Sequence, residues 1–213
     1  MELPLFPLHT VLFPGRPLPL HVFEQRYRDL LRDCLAADRR FGVVAIRSGA
    51  EVGASADLFD VGTIAEIERV EELPDGRANI VTRGTQRFRI DEVLMNGSYL
   101  RARAETLQET PVGPAAAAYA HALRRVLIPY LTALGAPPQM LERIPTDPEA
   151  LVWLAASTLH IELPELQQLL ELDHCHTRLA ETLRVLRREA RIIKHFGTVG
   201  SLRPAGPGGA DLN

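Results

Sequence analysis

Two stretches of alternating polar and apolar residues, joined by a short turn, constrain the fold of this chain more than any other feature. In residues 61–70, valine, alanine and isoleucine share one face and glutamates the other, which is typical of a half-buried strand. Residues 73–76 read Leu-Pro-Asp-Gly, where the proline presets φ and the glycine accepts a positive φ. Residues 77–90 then return as a second strand, with Gly84 as a bulge. The pattern predicts an antiparallel hairpin.

The remainder of the first half adds further strands and one helix. Short extended segments at 3–5 and 18–22 are bounded by prolines, and residues 41–47 form a compact apolar strand. The Asn-Gly pair at 96–97 indicates another hairpin, which runs on to Leu107. A helix is predicted over residues 23–38, because its apolar residues share one face at spacings of three and four: Phe23, Tyr27, Leu30, Leu31, Cys34 and Leu35.

The second half reads as helical. Residues 110–114 contain two prolines and a glycine and end the alternating pattern, so we place a domain boundary there. Helices are expected at 115–134, from the N-cap Asp147 to about His160, in a short stretch from Leu163, and from about Asp173 to Phe196. The sequence therefore predicts an α+β protein, with a β-rich domain at 1–110, a helical bundle at 111–196 and a disordered tail at 197–213.

Composition narrows the classes of function. With 24 basic and 27 acidic residues and a formal charge of -3, the chain has no overall field that would attract nucleic acid or an anionic membrane. No apolar run of about 18 residues is present, and Glu2 stands where a signal peptide would be basic. We therefore expect a cytoplasmic protein. Cys34 and Cys175 are far apart and lie in helical segments, so they are expected to be reduced, packed thiols.

Three motifs in order carry a family resemblance. Residues 3–27 read LPLFPLHTVLFPGRPLPLHVFEQRY, residues 61–90 contain VGT, LPDG and GTQRF, and residues 164–186 read PELQQLLELDHCHTRLAETLRVL. Together they resemble the N-terminal domain of the Lon protease family, over about residues 2–195. The resemblance implies a PUA-like β-barrel followed by a helical bundle. In full-length proteases it implies a module that recognises substrates and helps to assemble the ring.

The residues needed for the chemistry of such proteases are missing. A lysine-dependent ATPase needs a glycine-rich loop that ends in Gly-Lys-Ser/Thr, and the peptidase needs a Ser-Lys dyad. Lys194 is the single lysine, and it follows a run of arginines near the end of a charged helix, where a solvated cation is expected. We therefore predict a non-catalytic protein without a cofactor. An ATP-independent peptidase that uses Lys194 is the enzymatic alternative.

One histidine and cysteine cluster is weighed as a metal site. His174, Cys175 and His176 are consecutive, and neighbouring residues on a helix point about 100° apart, so they cannot converge on one ion. We predict no metal.

Two apolar pairs are candidate contacts for a bound polypeptide. Leu18 and Leu20 form a Leu-Pro-Leu run that could line a groove. Leu58 and Phe59 end a loop at 48–60 that is rich in small residues, and they either grip an apolar peptide or begin the core of the next strand. Both pairs remain candidates, with the core interpretation favoured for Leu58 and Phe59.

An arginine face is the remaining candidate. Arg87 has the same parity as Arg83 and Arg89 on the returning strand, and PUA-like barrels in other proteins bind RNA. The alternative is cross-strand pairing with Glu66 and Glu68 on the preceding strand. No set of interleaved aromatic residues offers base stacking, so RNA binding is the less favoured interpretation.

The expected partners are unfolded or partly folded polypeptides, bound through apolar grooves on the barrel. The chain would then act as an adaptor or chaperone-like factor, together with a separate protease or chaperone. No membrane and no nucleic acid is expected as a partner. Self-association stays open, because the leucine stripe of the last helix could face a partner helix as well as the bundle core.

Overall fold

The described residues of the first half form seven strands and one helix. The computed structural model describes residues 1–49, 57–95, 97–110 and 112–196, without the side chain of Phe196. Helix α1 (Gln25–Ala36) lies between the second and third strands. The strands are β1 (Glu2–Leu8), β2 (Pro17–Val22), β3 (Arg40–Ser48), β4 (Asp57–Leu58), β5 (Val61–Glu72), β6 (Ala78–Leu94) and β7 (Arg101–Thr106).

Five of these strands close a barrel. They are hydrogen-bonded in the order β1-β7-β6-β5-β3, and β1 also pairs with β3. The closing pair is parallel, with Leu5 opposite Gly42, whereas the other pairs are antiparallel. The remaining two strands lie outside the ring: β2 pairs with the first part of β6, and the two-residue β4 pairs with β3. The predicted strands are confirmed, and β4 is an addition within the predicted loop.

The predicted hairpin and its bulge are both present. Gly76 has a φ of 78°, which is the left-handed conformation that favours glycine. Between β5 and β6 the register runs from Ala65 opposite Gly84 to Thr63 opposite Arg87, so β6 carries one more residue than β5 between these pairs. Because side chains alternate along a strand, an extra residue changes which face the following side chains occupy.

Apolar clusters fill the inside of the barrel and cover one of its sides. The interior holds Leu3, Leu5, Val44, Ile64, Phe88, Ala102 and Ala104. On the outside, α1 packs through the buried residues Tyr27, Leu30, Leu31 and Cys34. Phe23 was expected on this buried face and is instead 59% exposed, because it precedes the first turn of α1. The predicted start of this helix is therefore wrong by two residues.

The described residues of the second half form five helices. They are α2 (Pro114–Ala133), α3 (Pro138–Glu142), α4 (Pro148–Ser157), α5 (Leu163–Glu171) and α6 (Cys175–Phe196). Asp147 caps α4, since its carboxylate accepts a hydrogen bond from the backbone N–H of Ala150 at 2.8 Å, as predicted. The short helix α3 was not predicted.

Strands followed by helices confirm the α+β prediction. The two halves share a core, because Phe13 and Val61 of the first half belong to the same apolar cluster as the bundle helices. The rings of Phe13 and Trp153 lie 5.8 Å apart between their centroids. The division into domains at residue 110 stays a prediction, and the predicted tail at 197–213 lies outside the described residues.

Candidate functional site

A buried ionic cluster joins the barrel to the bundle. Arg87 on β6 is 1% exposed and donates to the carboxylate of Glu109 at 2.7 Å. It also donates to the carbonyl oxygens of Leu170 and Leu172, at 2.8 and 3.1 Å. Arg178 on α6 reaches the same carboxylate at 3.0 Å. A carboxylate from the segment between the two halves thus holds one arginine from each. We call these three residues the arginine cluster.

Arg178 is buried in this cluster with only part of its guanidinium group hydrogen-bonded. Its side chain is fully buried, and its guanidinium carbon lies 3.8 Å from the centroid of the Trp153 ring. Its Nε and Nη1 atoms have no hydrogen-bond partner among the described residues. Burial, together with the charge of Arg87, lowers the pKa of Arg178. The aromatic face therefore takes the place of part of the missing hydrogen bonding.

The predicted arginine face does not exist as one surface. Before the bulge, Arg83 pairs with Glu66. After the bulge, Arg87 pairs with Thr63 and lies on the face that Gly84 and Ala65 share. The extra residue therefore places Arg87 against the bundle, and the prediction that it is accessible to a partner is wrong. Arg83 forms an ion pair with Glu68, as the cross-strand alternative expects. Arg89 lies 3.5 Å from Glu105.

The apolar candidate pairs lie in different places. Leu18 and Leu20 on β2 are half-buried and pack against the cluster beneath α1. Leu58 packs against the barrel interior. Phe59 is half-buried, with the guanidinium carbon of Arg47 4.8 Å from its ring centroid. The structure does not bring the two pairs into one groove, and their role in binding stays a prediction.

A depression at the start of α1 has on its rim an exposed apolar side chain, that of Met95, which the sequence did not indicate. It has a volume of about 210 Å³ and lies between α1 and the connection from β6 to β7. Met95 is 63% exposed. The other lining residues are Leu5, Pro7, Arg26, Tyr27, Gly97, Ser98, Tyr99 and Leu100, and we call the surface that they form with Met95 the barrel depression. Phe23, which is 59% exposed, is not among these lining residues and stacks on His21 with 5.9 Å between the ring centroids.

A polar network supports one wall of the barrel depression. The hydroxyl of Tyr99 donates to the carboxylate of Asp33 on α1 at 2.8 Å and accepts from Arg101 at 2.7 Å. The hydrogen bond that Tyr99 donates lowers the pKa of the Asp33 carboxyl group. Tyr99 is thus fixed between helix and strand, whereas Met95 is unbranched and adaptable. A methionine beside a predicted Asn-Gly turn, where polar residues are usual, is the signal that could have identified this surface.

A second apolar groove lies between α2 and the end of α6. Its volume is about 550 Å³. Lys194 lines one end and is exposed, and the described residues that line the groove include no serine. The other lining residues are Val126, Pro129, Tyr130, Ala133, Ala190 and Ile193. We call this surface the helix groove.

The described ranges contain neither a cluster of metal ligands nor a membrane-spanning helix. Cys175 is buried at the start of α6, and no group of three or more histidine, cysteine or acidic side chains within those ranges could hold a metal ion. None of the helices described is long and apolar enough to cross a membrane.

Comparison with known proteins identifies relatives over most of the chain. The model of the family described as the ATP-dependent protease La (LON) substrate-binding domain matches residues 2–188. A Lon protease from Anaeromyxobacter dehalogenans is 31% identical over 93% of this chain and 24% of its own length. Lon protease 2 from Herpetosiphon aurantiacus is 33% identical over 91% of this chain and 24% of its own length. The chain therefore spans about a quarter of these relatives.

Solved structures agree with the fold. The crystal structure of a Lon N-terminal domain protein from Xanthomonas campestris has a TM-score of 0.66 and 29% identity, and the match covers 86% of this chain and 98% of that one. The N-terminal domain of the Lon protease of the Mycobacterium avium complex has a TM-score of 0.72 at 19% identity, covering 88% of this chain and 98% of that one, which supports the fold alone.

Proposed function

The chain belongs to the family of Lon substrate-binding domains, and we propose that it recognises unfolded or partly folded polypeptides through the barrel depression, without chemistry of its own. Such a module would act as an adaptor or chaperone-like factor that delivers the bound polypeptide to a separate protease or chaperone. Membership of the family supports a polypeptide as the partner, and the barrel depression offers an apolar surface for contact with it.

The exposure of Met95 on the rim of the barrel depression is the observation that carries this proposal. Large apolar side chains are ordinarily buried, and binding sites are mostly concave surfaces with apolar lining. Burying one such side chain contributes roughly 1.5–3 kcal/mol, and a micromolar dissociation constant needs about 8 kcal/mol. The depression can therefore bind several apolar side chains of a flexible polypeptide weakly, which suits a partner defined by being unfolded.

The test compares the folded and unfolded forms of one probe protein. Reduced, carboxymethylated α-lactalbumin should bind in fluorescence anisotropy, and native α-lactalbumin should not. The substitution Met95→Ser should weaken binding at least about tenfold, which corresponds to 1.4 kcal/mol. Met140→Ser removes a partly exposed methionine from the bundle and should leave binding unchanged.

Two results would contradict the proposal. Equal binding of native and unfolded α-lactalbumin would remove recognition of the unfolded state. Unchanged binding by the Met95→Ser variant would show that the barrel depression is not the binding site. The peptidase alternative predicts instead that casein is cleaved without ATP and that Lys194→Ala abolishes the cleavage. The exposed position of Lys194 argues against it, because a lysine base must be desolvated.

A further inference from the structure

The helix groove combines an apolar floor with a rim of cations. Lys194 lines the groove itself. Arg191 precedes Lys194 by three residues, Arg187 precedes Ala190 by three, and Arg125 precedes Pro129 by four. Residues three and four apart are neighbours on a helix surface, so these arginines lie along the same two helix edges as the groove.

Among the described residues, none of these four cations forms an ion pair. The acidic residues of α5 and α6 that form ion pairs are engaged by other arginines: Glu181 by Arg184, and both Glu165 and Glu189 by Arg188. Within the part of the chain that the structure describes, no ion pair joins Arg125, Arg187, Arg191 or Lys194 to a carboxylate. The rim therefore presents positive charge beside apolar surface, although the whole chain has a net charge of -3.

We propose that the helix groove docks an acidic amphipathic helix of a partner polypeptide. Its apolar face would pack on Val126, Tyr130 and Ile193, and its carboxylates would face the cations of the rim. Two neighbouring helices with small residues between them, here Ala133 and Ala190, leave space for the ridge of a third helix. This surface lies on the bundle and is separate from the barrel depression, so the proposal goes beyond the proposed function.

Charge complementarity selects this occupant over a second copy of the chain. In a symmetric dimer each groove would face its own equivalent, and two sets of the same four cations would be brought together. Like charges in close opposition disfavour such a pairing, whereas an acidic partner is attracted to the rim and oriented by it.

The experiment uses two designed peptides that differ only in charge. Both are helix-forming repeats of leucine and alanine, one with glutamate at every polar position and the other with lysine. In fluorescence anisotropy with the full chain, the acidic peptide should bind at least about tenfold more tightly than the basic one, a difference of about 1.4 kcal/mol. Its affinity should fall as salt is raised, because salt screens exposed charges.

Two variants and one control locate the binding. Ala133→Glu places a carboxylate in the groove at an exposed helical position, and Arg191→Glu with Lys194→Glu reverses the rim. Each should weaken binding of the acidic peptide at least about tenfold, with unchanged circular dichroism. Arg69→Glu reverses one charge at an exposed position of β5, outside the helix groove, and should have no effect. Reduced, carboxymethylated α-lactalbumin should still bind the Ala133→Glu variant.

Three outcomes would overturn the inference. Equal binding of the two peptides would remove charge selection, and full binding by the Ala133→Glu variant would remove the groove. A chain that is dimeric by light scattering, and monomeric as Ala133→Glu, would assign the groove to a second copy. None of these affects binding of unfolded α-lactalbumin at the barrel depression, so failure here and failure of the proposed function are distinguishable.

Discussion

Replacing Glu109 by glutamine should destabilise the protein far more than the same change on its surface. The carboxylate of Glu109 accepts hydrogen bonds from Arg87 at 2.7 Å and from Arg178 at 3.0 Å, and both arginines are buried. Glutamine has a similar shape but no charge, and its single amide oxygen cannot serve both arginines as a carboxylate does. The substitution therefore leaves two buried cations without their shared anion.

The magnitude follows from the burial of these residues. Removing one partner of a buried ion pair costs about 3–5 kcal/mol. The side chain of Glu109 is 25% exposed and the amide still accepts one hydrogen bond, so the lower end of that range applies, about 3 kcal/mol. For a chain of this length each kcal/mol lowers Tm by roughly 2–4 °C, which gives a decrease of about 6–12 °C.

Glu105→Gln is the matched control. Glu105 lies on β7, 3.5 Å from Arg89, and both side chains are about half exposed. Exposed pairs of this kind contribute about 0–1 kcal/mol, so this variant should unfold within about 4 °C of the parent. The two substitutions are chemically identical and lie four residues apart. Their difference therefore isolates the contribution of burial.

Urea unfolding followed by two probes provides the assay. Trp153 is the single tryptophan and contacts Arg178, so its fluorescence reports on the arginine cluster, while circular dichroism reports on the whole chain. A double-mutant cycle with Arg178→Met should show that the cost of Glu109→Gln falls by about 1–2 kcal/mol, because one buried cation fewer is left unpaired. Equal costs for Glu109→Gln and Glu105→Gln would refute the argument, as would full additivity in the cycle.

Further predictions concern the barrel interior and two groups with raised pKa values. Gly62→Ala should lower the free energy of urea unfolding by about 1–3 kcal/mol, because the added Cβ would overlap the ring of Phe88. Gly113→Ala should be tolerated, because its added Cβ meets open space. Equal effects of the two substitutions would contradict this. Burial raises the pKa of Cys34 to about 12, so Ellman's reagent at pH 8 should label it only after unfolding, and rapid native labelling would count against this. Burial also raises the pKa of Glu149, so its charged form destabilises the fold at pH 7. Glu149→Gln should therefore stabilise the fold at pH 7 but not near pH 3, where the carboxyl is protonated in both the folded and the unfolded state. Unchanged stability at pH 7 would disprove this.

Local features of the fold could be predicted because their causes are local. The turn at residues 73–76 depends on a proline and a glycine that act on their own backbone, and the N-cap at Asp147 depends on an N–H three residues away. Closure of the barrel depends on the parallel pairing of β1 with β3, whose residues are more than thirty positions apart. No local pattern distinguishes that pairing from an open sheet, and only the family resemblance indicated a barrel.

The burial of Arg87 could not be predicted from its own strand, because one extra residue at the bulge changes the face on which it lies. Its parity was assigned by counting from Arg83, which is valid only if the strand is regular between them. A bulge was expected at Gly84, but which face follows a bulge depends on how the opposite strand is paired. Because Thr63 pairs with Arg87 and Ala65 with Gly84, the two arginines occupy opposite faces. The partner strand, rather than the strand itself, therefore decides that Arg87 is buried.

The burial of Arg178 was not predicted, although its place among the apolar residues of α6 indicates it. Arg178 lies three residues after the buried Cys175 and four before the buried Thr182, on the same side of α6 as the leucine stripe. A cation at such a position must either bend towards solvent or find a buried anion, and Glu181, the acidic neighbour three residues later, is paired with Arg184 instead. The anion comes from Glu109, sixty-nine positions earlier in the chain. A charged residue on an apolar stripe therefore predicts a distant partner of opposite charge, and here that partner fixes the bundle against the barrel.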